Sequence, residues 1–316
     1  MNSSANILVV SYSQTGQLSR IIDSLLTPIL ENSAVSVKWV QIEPVKPYPF
    51  PWPISRFFDI LPECVTLNPP EIHPISVSKN ESFDLVILAY QVWFLSPSLP
   101  MTAFLKSREA ASLMRGKPVI TVIGCKDTWL MAQERVKEVL NHIGAILIDN
   151  IAVVDRSPLF FRMITTQRWL WTGKKESFWK IFPHAGISDK EIYNARRFGT
   201  AIANAIKIGR IDGKTSLLKG LGAVSVDKKD IYIEKFAYPK FIFWATLISR
   251  ISKPEQLKRS LLLVVFFLTL FLLILKGILT DIILFPFHKF FPTKKLETEI
   301  DYFEQPSGSS IERIVD

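Results

Sequence analysis

Ile7–Leu18, reading ILVVSYSQTGQL, decides the fold of this chain: a buried strand runs straight into a hydroxyl-rich, glycine-bearing turn that opens a helix. Ile7, Leu8, Val9 and Val10 form an unbroken apolar run, the pattern of a strand covered on both faces of a parallel sheet. Leu18, Ile21, Ile22, Leu25, Leu26 and Ile29 then recur at three- and four-residue spacing, which makes one apolar face of a helix. Between the two elements Ser13 and Thr15 offer hydroxyls and Gly16 lets the backbone approach a ligand closely. The first N–H groups of the helix add partial positive charge. Such a turn can hold a phosphate monoester without any arginine or lysine.

Outward from this turn, strand and helix signals alternate, which predicts βαβ units and a mostly parallel sheet. Val35–Ile42 reads as a second strand, Phe83–Tyr90 as a third, Pro118–Gly124 as a fourth and Ala145–Val154 as a fifth. Helices are predicted over Leu99–Met114 and over Thr128–His142, the latter stopping near Gly144. Ser188 with Glu191 three residues on is a capping box, and Ile192, Ala195, Phe198, Ile202 and Ala205 form the stripe of the helix it opens. Two insertions interrupt the rhythm. Glu43–Ser82 is rich in proline and aromatics (PYPFPWPISRFFDILPE from Pro47) and too long for an ordinary connection, so a functional or membrane-facing loop is expected. Within it, Pro47–Pro62 reads either as a hydrophobic substrate mouth or as aromatic packing over the sheet edge. Asp155–Ile187 sets Phe160, Phe161, Trp169, Trp171, Phe178, Trp179 and Phe182 among six Lys and Arg residues.

Hydrophobic residues make up 48% of the 316, and the mean hydropathy of +0.22 is high for a soluble enzyme. The excess is local. Leu261–Thr280 is twenty residues with Lys276 as its single charge, roughly 30 Å at the helical rise, and Lys276 near one end can snorkel. Arg250, Lys253, Lys258 and Arg259 precede it, which keeps the N-terminal part in the cytoplasm if the segment spans. Asp281–Phe291 continues aromatic and apolar around Pro286, so a surface-lying or re-entrant arrangement stays open. The expected division is an α/β domain over residues 1–207, a linker or amphipathic region over 208–259, a membrane-associating segment over 260–291 and an acidic tail over 292–316. Cys64 and Cys125 are too few for a disulfide framework and no cleavable signal precedes the first strand, so the cytoplasmic face of a membrane is the expected location. The net charge of +9 suits membrane lipid or an anionic ligand; charge alone does not exclude nucleic acid, but no nucleic-acid partner is expected. His73, His142, His184 and His288 are dispersed without metal-ligand spacing, so no metal is expected. The turn also lacks the GK[ST] ending of a nucleotide-hydrolysing loop.

SYSQTGQL resembles the phosphate-binding turn of flavodoxin-like FMN proteins, in which serine or threonine, a variable residue, then threonine and glycine cradle the FMN phosphate. The resemblance implies FMN as cofactor, held by Ser13, Gln14, Thr15, Gly16 and Gln17, and a five-stranded parallel sheet of order 2-1-3-4-5 whose switch point is the binding crevice. Leu18 departs from the family, which usually has another threonine there. AYQVWFLSPSLP (Ala89–Pro100) is similar to the family's second loop and places Tyr90, Gln91, Val92 and Trp93 beside the flavin; GCKDTW (Gly124–Trp129) is similar to the third and adds Gly124, Cys125 and Trp129. Trp93 is the stacking candidate, with ordinary core packing as the alternative. The resemblance covers about residues 5–207.

More narrowly, the YSQTGQL opening, the two aromatic insertions and the apolar C-terminal extension look like the flavoproteins encoded beside dialkylresorcinol and aryl-polyene synthesis enzymes, often labelled dialkylresorcinol condensing enzymes. That likeness implies an FMN-dependent oxidoreductase that aromatises a dialkyl cyclohexanedione, a hydrophobic and membrane-partitioned substrate, with a ketosynthase and acyl carrier protein of the same pathway as partners. A membrane NAD(P)H-dependent quinone reductase, an electron-carrying flavodoxin and a flavin-free membrane interaction module remain open, although carrier flavodoxins are typically acidic. Dehydrogenation beside a carbonyl needs a base for the α proton; Tyr12, Cys125, Asp127 and His184 are the weak candidates, each reading more readily as a structural or solvated group than as a catalyst.

Overall fold

The computed structural model describes residues 4–78, 81–251, 256–284 and 293–313, with the side chains of 256, 271, 273–284 and 293–295 outside the described set. Strand β1 (Ala5–Ser11) leads through the turn into helix α1 (Gln17–Leu30), and β2 (Val35–Gln41) follows. The first insertion carries two short helices, α2 (Ile54–Asp59) and α3 (Leu61–Val65). Next come β3 (Leu85–Tyr90), the two-residue strands β4 (Val92–Trp93) and β5 (Ser96–Pro97), and helices α4 (Leu99–Leu105) and α5 (Arg108–Met114). β6 (Pro118–Cys125), α6 (Leu130–Ile143) and β7 (Ile146–Val154) complete the sheet, whose order is β2-β1-β3-β6-β7 with every neighbour parallel. Counted from sequence the order reads 2-1-3-4-5; the chain differs because the second crevice loop contains the antiparallel pair β4–β5, too short for periodicity to reveal.

Successive side chains of a strand point to opposite faces, and β1 uses both. Ile7 and Val9 join the core formed with α1, Leu8 and Val10 the core formed with α4 and α6, and all four are fully buried. The continuous apolar run is therefore the sequence image of a two-sided sheet. After β7 the second insertion forms α7 (Leu159–Thr172) and an aromatic turn in which the Phe178 and Phe182 rings stack at 4.5 Å. The helix expected from Ser188 onward is two helices, α8 (Asp189–Asn194) and α9 (Arg196–Lys207), with the Ser188 hydroxyl accepting from the Glu191 amide at 3.3 Å.

Beyond residue 207 the structure departs most from the sequence reading. The region expected as a linker folds onto the sheet: the Asp149 carboxylate of β7, fully buried, accepts from the Ser216 hydroxyl and from the Leu217 and Leu218 amides. It also accepts from the hydroxyl of Ser307, so the expected tail is tied to the same buried charge. Helix α10 (Lys228–Ser249) packs against α3 and α6; α11 (Gln256–Leu284) and α12 (Thr293–Glu304) follow. The tail is anchored by the buried Phe303 ring and by the Tyr302 hydroxyl, which donates to Glu134 at 2.6 Å. Among the described residues no helix is long and apolar enough to cross a membrane. The start of the expected transmembrane run lies in α11, where Phe266 is buried against Leu61, Val65 and Ala245 while Leu261, Val264, Val265 and Leu268 stay exposed. Part of that apolar stretch is thus protein core. Lys276, the side chains of residues 273–284 and the whole of 285–292 lie outside the described set.

Candidate functional site

Gly16 caps α1 in the left-handed region at φ 75°, and nothing lies within 4 Å of where its Cβ would be, so the turn opens outward and a side chain there would be strained. Among the described residues the amides of Thr15, Gly16, Gln17 and Leu18 have no protein acceptor, and the Thr15 hydroxyl makes no hydrogen bond. Ser13 accepts from the Ser19 amide at a long 3.4 Å, and no acid occupies the first turn of α1. Four orphan donors at the positive end of the helix, with the unbonded Thr15 hydroxyl in the same turn, are the kind of donor set that a phosphate dianion requires.

The three crevice loops converge around this spot. The Gln14 amide donates to the Gln91 side chain at 3.1 Å, and the Gln14 side chain donates to the Pro49 carbonyl at 2.9 Å. Its oxygen accepts from the Trp52 indole at 2.9 Å, which binds the first and second loops to the aromatic insertion. A Cβ on Gly124 would stand 3.0 Å from a Leu18 methyl, so that glycine lets β6 end directly against the first turn of α1. Gln17 is placed differently from the phosphate role expected of it: its side chain donates to the Ile187 carbonyl at 3.1 Å and accepts from the Ile187 amide at 3.2 Å. Only its backbone amide remains for an anion.

At the other end of the crevice Trp93 is buried in an aromatic cluster, edge-on to Tyr12 at 5.8 Å, Tyr48 at 5.0 Å and Trp52 at 5.8 Å. It is packed by rings of the first insertion, which the expected site residues did not include and which PYPFPWP signals only as an aromatic excess. Val92, half-buried, pairs with Pro97. The Tyr90 and Trp129 rings belong to the core instead of the crevice: Tyr90 is fully buried with its hydroxyl on Gln133, and Trp129 is 2% exposed. Tyr90 ends β3 and Trp129 caps the start of α6, and both rings lie in the core on the α4–α6 side of the sheet.

The four base candidates are scattered. Tyr12 reaches the ring end, where burial pushes its phenol up to about 12. The Cys125 thiol contacts the Asp127 carbonyl at 3.8 Å, and burial pushes it up too. The Asp127 carboxylate accepts from the Thr128 amide at 2.8 Å and faces Arg162 at 3.3 Å and Lys126 at 3.8 Å. His184 is exposed in the second insertion. No neutral-pH base therefore stands at the ring end among these four. A carboxylate that sequence gave no sign of closes the first turn of α6, just past the third loop: Glu234 of α10, fully buried, accepts from the Leu130 amide at 3.0 Å and the Met131 amide at 2.8 Å. Burial raises it to about 7 against those bonds. Among the described residues no group of histidine, cysteine and carboxylate side chains could hold a metal ion.

No protein-family model and no curated protein matches the chain. Among solved structures it is similar to a flavoprotein in complex with FMN from Lactobacillus acidophilus NCFM, at 15% identity over 47% of this chain and 93% of that one, with a TM-score of 0.35. A flavodoxin from the domain Archaea is similar at 14% identity over 64% of this chain and 99% of that one, with a TM-score of 0.36. Oxidised Flavodoxin 1 from Bacillus cereus is similar at 12% identity over 65% of this chain and 98% of that one, with a TM-score of 0.34. At these levels the architecture rests on the strand order, the crossover helices and the loop positions described above.

Proposed function

We propose that the chain is an FMN-dependent oxidoreductase that works at the cytoplasmic face of a membrane and aromatises a dialkyl cyclohexanedione to a dialkylresorcinol. The observation that carries the flavin is the row of unpartnered amides from Thr15 to Leu18 with the free Thr15 hydroxyl beside it. Those amides and that hydroxyl hold the phosphate. The Gln91–Gln14–Trp52 link fixes the turn against the aromatic insertion. Trp93, Tyr48 and Trp52 keep water from the ring end, and Tyr12, which stays protonated up to about pH 12, is suited to donate to a substrate carbonyl. Bound FMN supplies the two-electron acceptor. Oxidation of the dione removes one hydride and one proton, and the aromaticity gained drives it. Attachment to the membrane is supported by exposed Phe243, Leu261, Val264, Val265 and Leu268 on α10 and α11, with Arg250 and Lys258 near them. A ketosynthase and acyl carrier protein are the partners this reading expects.

The test is direct. Purified full-length protein should be yellow and release FMN on denaturation, and anaerobic addition of an alkylated cyclohexane-1,3-dione should bleach the flavin. Bleaching by NADPH and not by the dione would replace this reading with a quinone reductase; protein that takes up no flavin on reconstitution would remove both.

A further inference from the structure

A cavity of about 580 Å³ lies between the aromatic insertion and the C-terminal arm, a volume in the range of small-molecule sites. Tyr48, Trp52, Ile60, Leu99 and Arg259 are among the residues that line it. Trp52 is common to this cavity and the crevice: the same ring that lines the cavity packs on Trp93, and its indole N–H donates to Gln14 of the phosphate turn. The arm is part of the wall. Ser249 and Ile251 contribute from the end of α10, and Arg259 reaches in from α11.

The charges around the cavity decide what it can take. Arg259 is buried and already satisfied: its guanidinium donates to the Asp59 carboxylate and the Asp59 carbonyl at 2.6 Å each, and to Glu63 at 3.3 Å. With Arg56, the lining holds two cations and two carboxylates, so no net charge awaits a counter-ion. A charged ligand would enter at the cost of unpaired burial, whereas a flat neutral ring gains contact with Tyr48 and Trp52.

Resting on the flavin reading above, we propose that this cavity is the substrate site, that it takes a neutral, oxygen-bearing ring with an apolar tail, and that the C-terminal arm completes it through the Arg259 latch. The domain over residues 1–207 alone would lack one wall. Arg259 is a positioning residue that holds the arm in place through Asp59 and Glu63.

Isothermal titration of the full-length protein with 5-pentylresorcinol tests this, with 4-pentylbenzoate as the charged comparison and FMN affinity measured in parallel. Saturable binding is expected, at least tenfold weaker for the benzoate. Ile60→Trp, which fills the cavity, and Thr66→Trp, at its exposed rim, should each weaken pentylresorcinol by tenfold or more while FMN affinity stays within twofold. Undiminished binding in both variants, equal affinity for the benzoate, or no binding to the wild type would overturn the cavity. Protein that binds no FMN yet loses pentylresorcinol on Ile60→Trp would sink the flavin reading and leave the cavity standing.

Discussion

Two helices begin beyond the carboxyl ends of interior strands of one sheet, α1 after β1 and α6 after β6, and their first turns have opposite fates. At α1 the amides of Thr15, Gly16, Gln17 and Leu18 face outward with no protein acceptor among the described residues. At α6 the Leu130 and Met131 amides are closed by Glu234, a carboxylate delivered from α10. Both turns have the same electrostatic demand for negative charge. The chain answers it from within at one and leaves it to a ligand at the other, so an anion site is defined by which helix end the fold leaves open.

The sharpest way to break this contrast is to spoil the open turn. Thr15→Ala combined with Gly16→Val removes the hydroxyl and strains the left-handed backbone at φ 75°. FMN affinity should fall by roughly 100-fold or more, about 3 kcal/mol, read by fluorescence titration of the flavin. An unchanged affinity would mean that the amides of α1 do not hold the phosphate. The closed turn should respond in stability instead. Glu234→Ala strands two buried amides and should cost roughly 2–3 kcal/mol in denaturant unfolding. Inorganic phosphate should then stabilise the variant more than the wild type, because the second helix end has become an anion site.

A smaller effect follows from protonation. Burial raises Glu234 to about 7 in the folded chain against 4.5 for the ordinary group, with Asp230 pushed to about 6 beside it, Asp127 acting on both and Arg162 on Asp230. The folded state therefore holds the extra proton between those values. Docking of α10 on α6 is strongest below about pH 4.5 and weakens as pH rises toward 7. Between pH 5 and 8 the Glu234 shift alone should move the docking equilibrium by roughly 50- to 100-fold, followed as hydrogen exchange of the Leu130 and Met131 amides. Glu234→Gln, which has no proton to lose, should flatten the profile; a slope that persists would place the titrating group elsewhere.

The open turn was legible in sequence because its parts are adjacent: strand, hydroxyls, glycine and helix stripe all fall within Ile7–Ile29. The partners that close the rest are far apart in the chain. Trp52 is 38 residues from Gln14, Glu234 is 104 from Leu130, and Arg259 is 200 from Asp59. Periodicity shows that a face is apolar and says nothing of what covers it. Leu261–Leu270 reads the same whether its neighbour is lipid or α3, and the structure gives Phe266 to Leu61 and Val65. Trp93 was identifiable as a crevice aromatic, but not that three rings would meet it edge-on, because ring orientation depends on Tyr48 and Trp52 folding over it.

The smallest effect separates backbone from side chain within the open turn itself. By resemblance Gln17 belongs to the phosphate, yet both ends of its side-chain amide are taken by Ile187 of the second insertion. Gln17→Ala keeps the backbone amide at the start of α1 and removes only that clamp. FMN affinity should change by less than about threefold, since the donor set facing the anion is untouched. The lost pair of hydrogen bonds should appear instead in the insertion, as faster tryptic cleavage at Lys174 and Lys175, the two lysines just past the glycine that ends α7. A tenfold loss of FMN affinity with unchanged cleavage would return the side chain to the phosphate and make the open turn depend on more than its backbone.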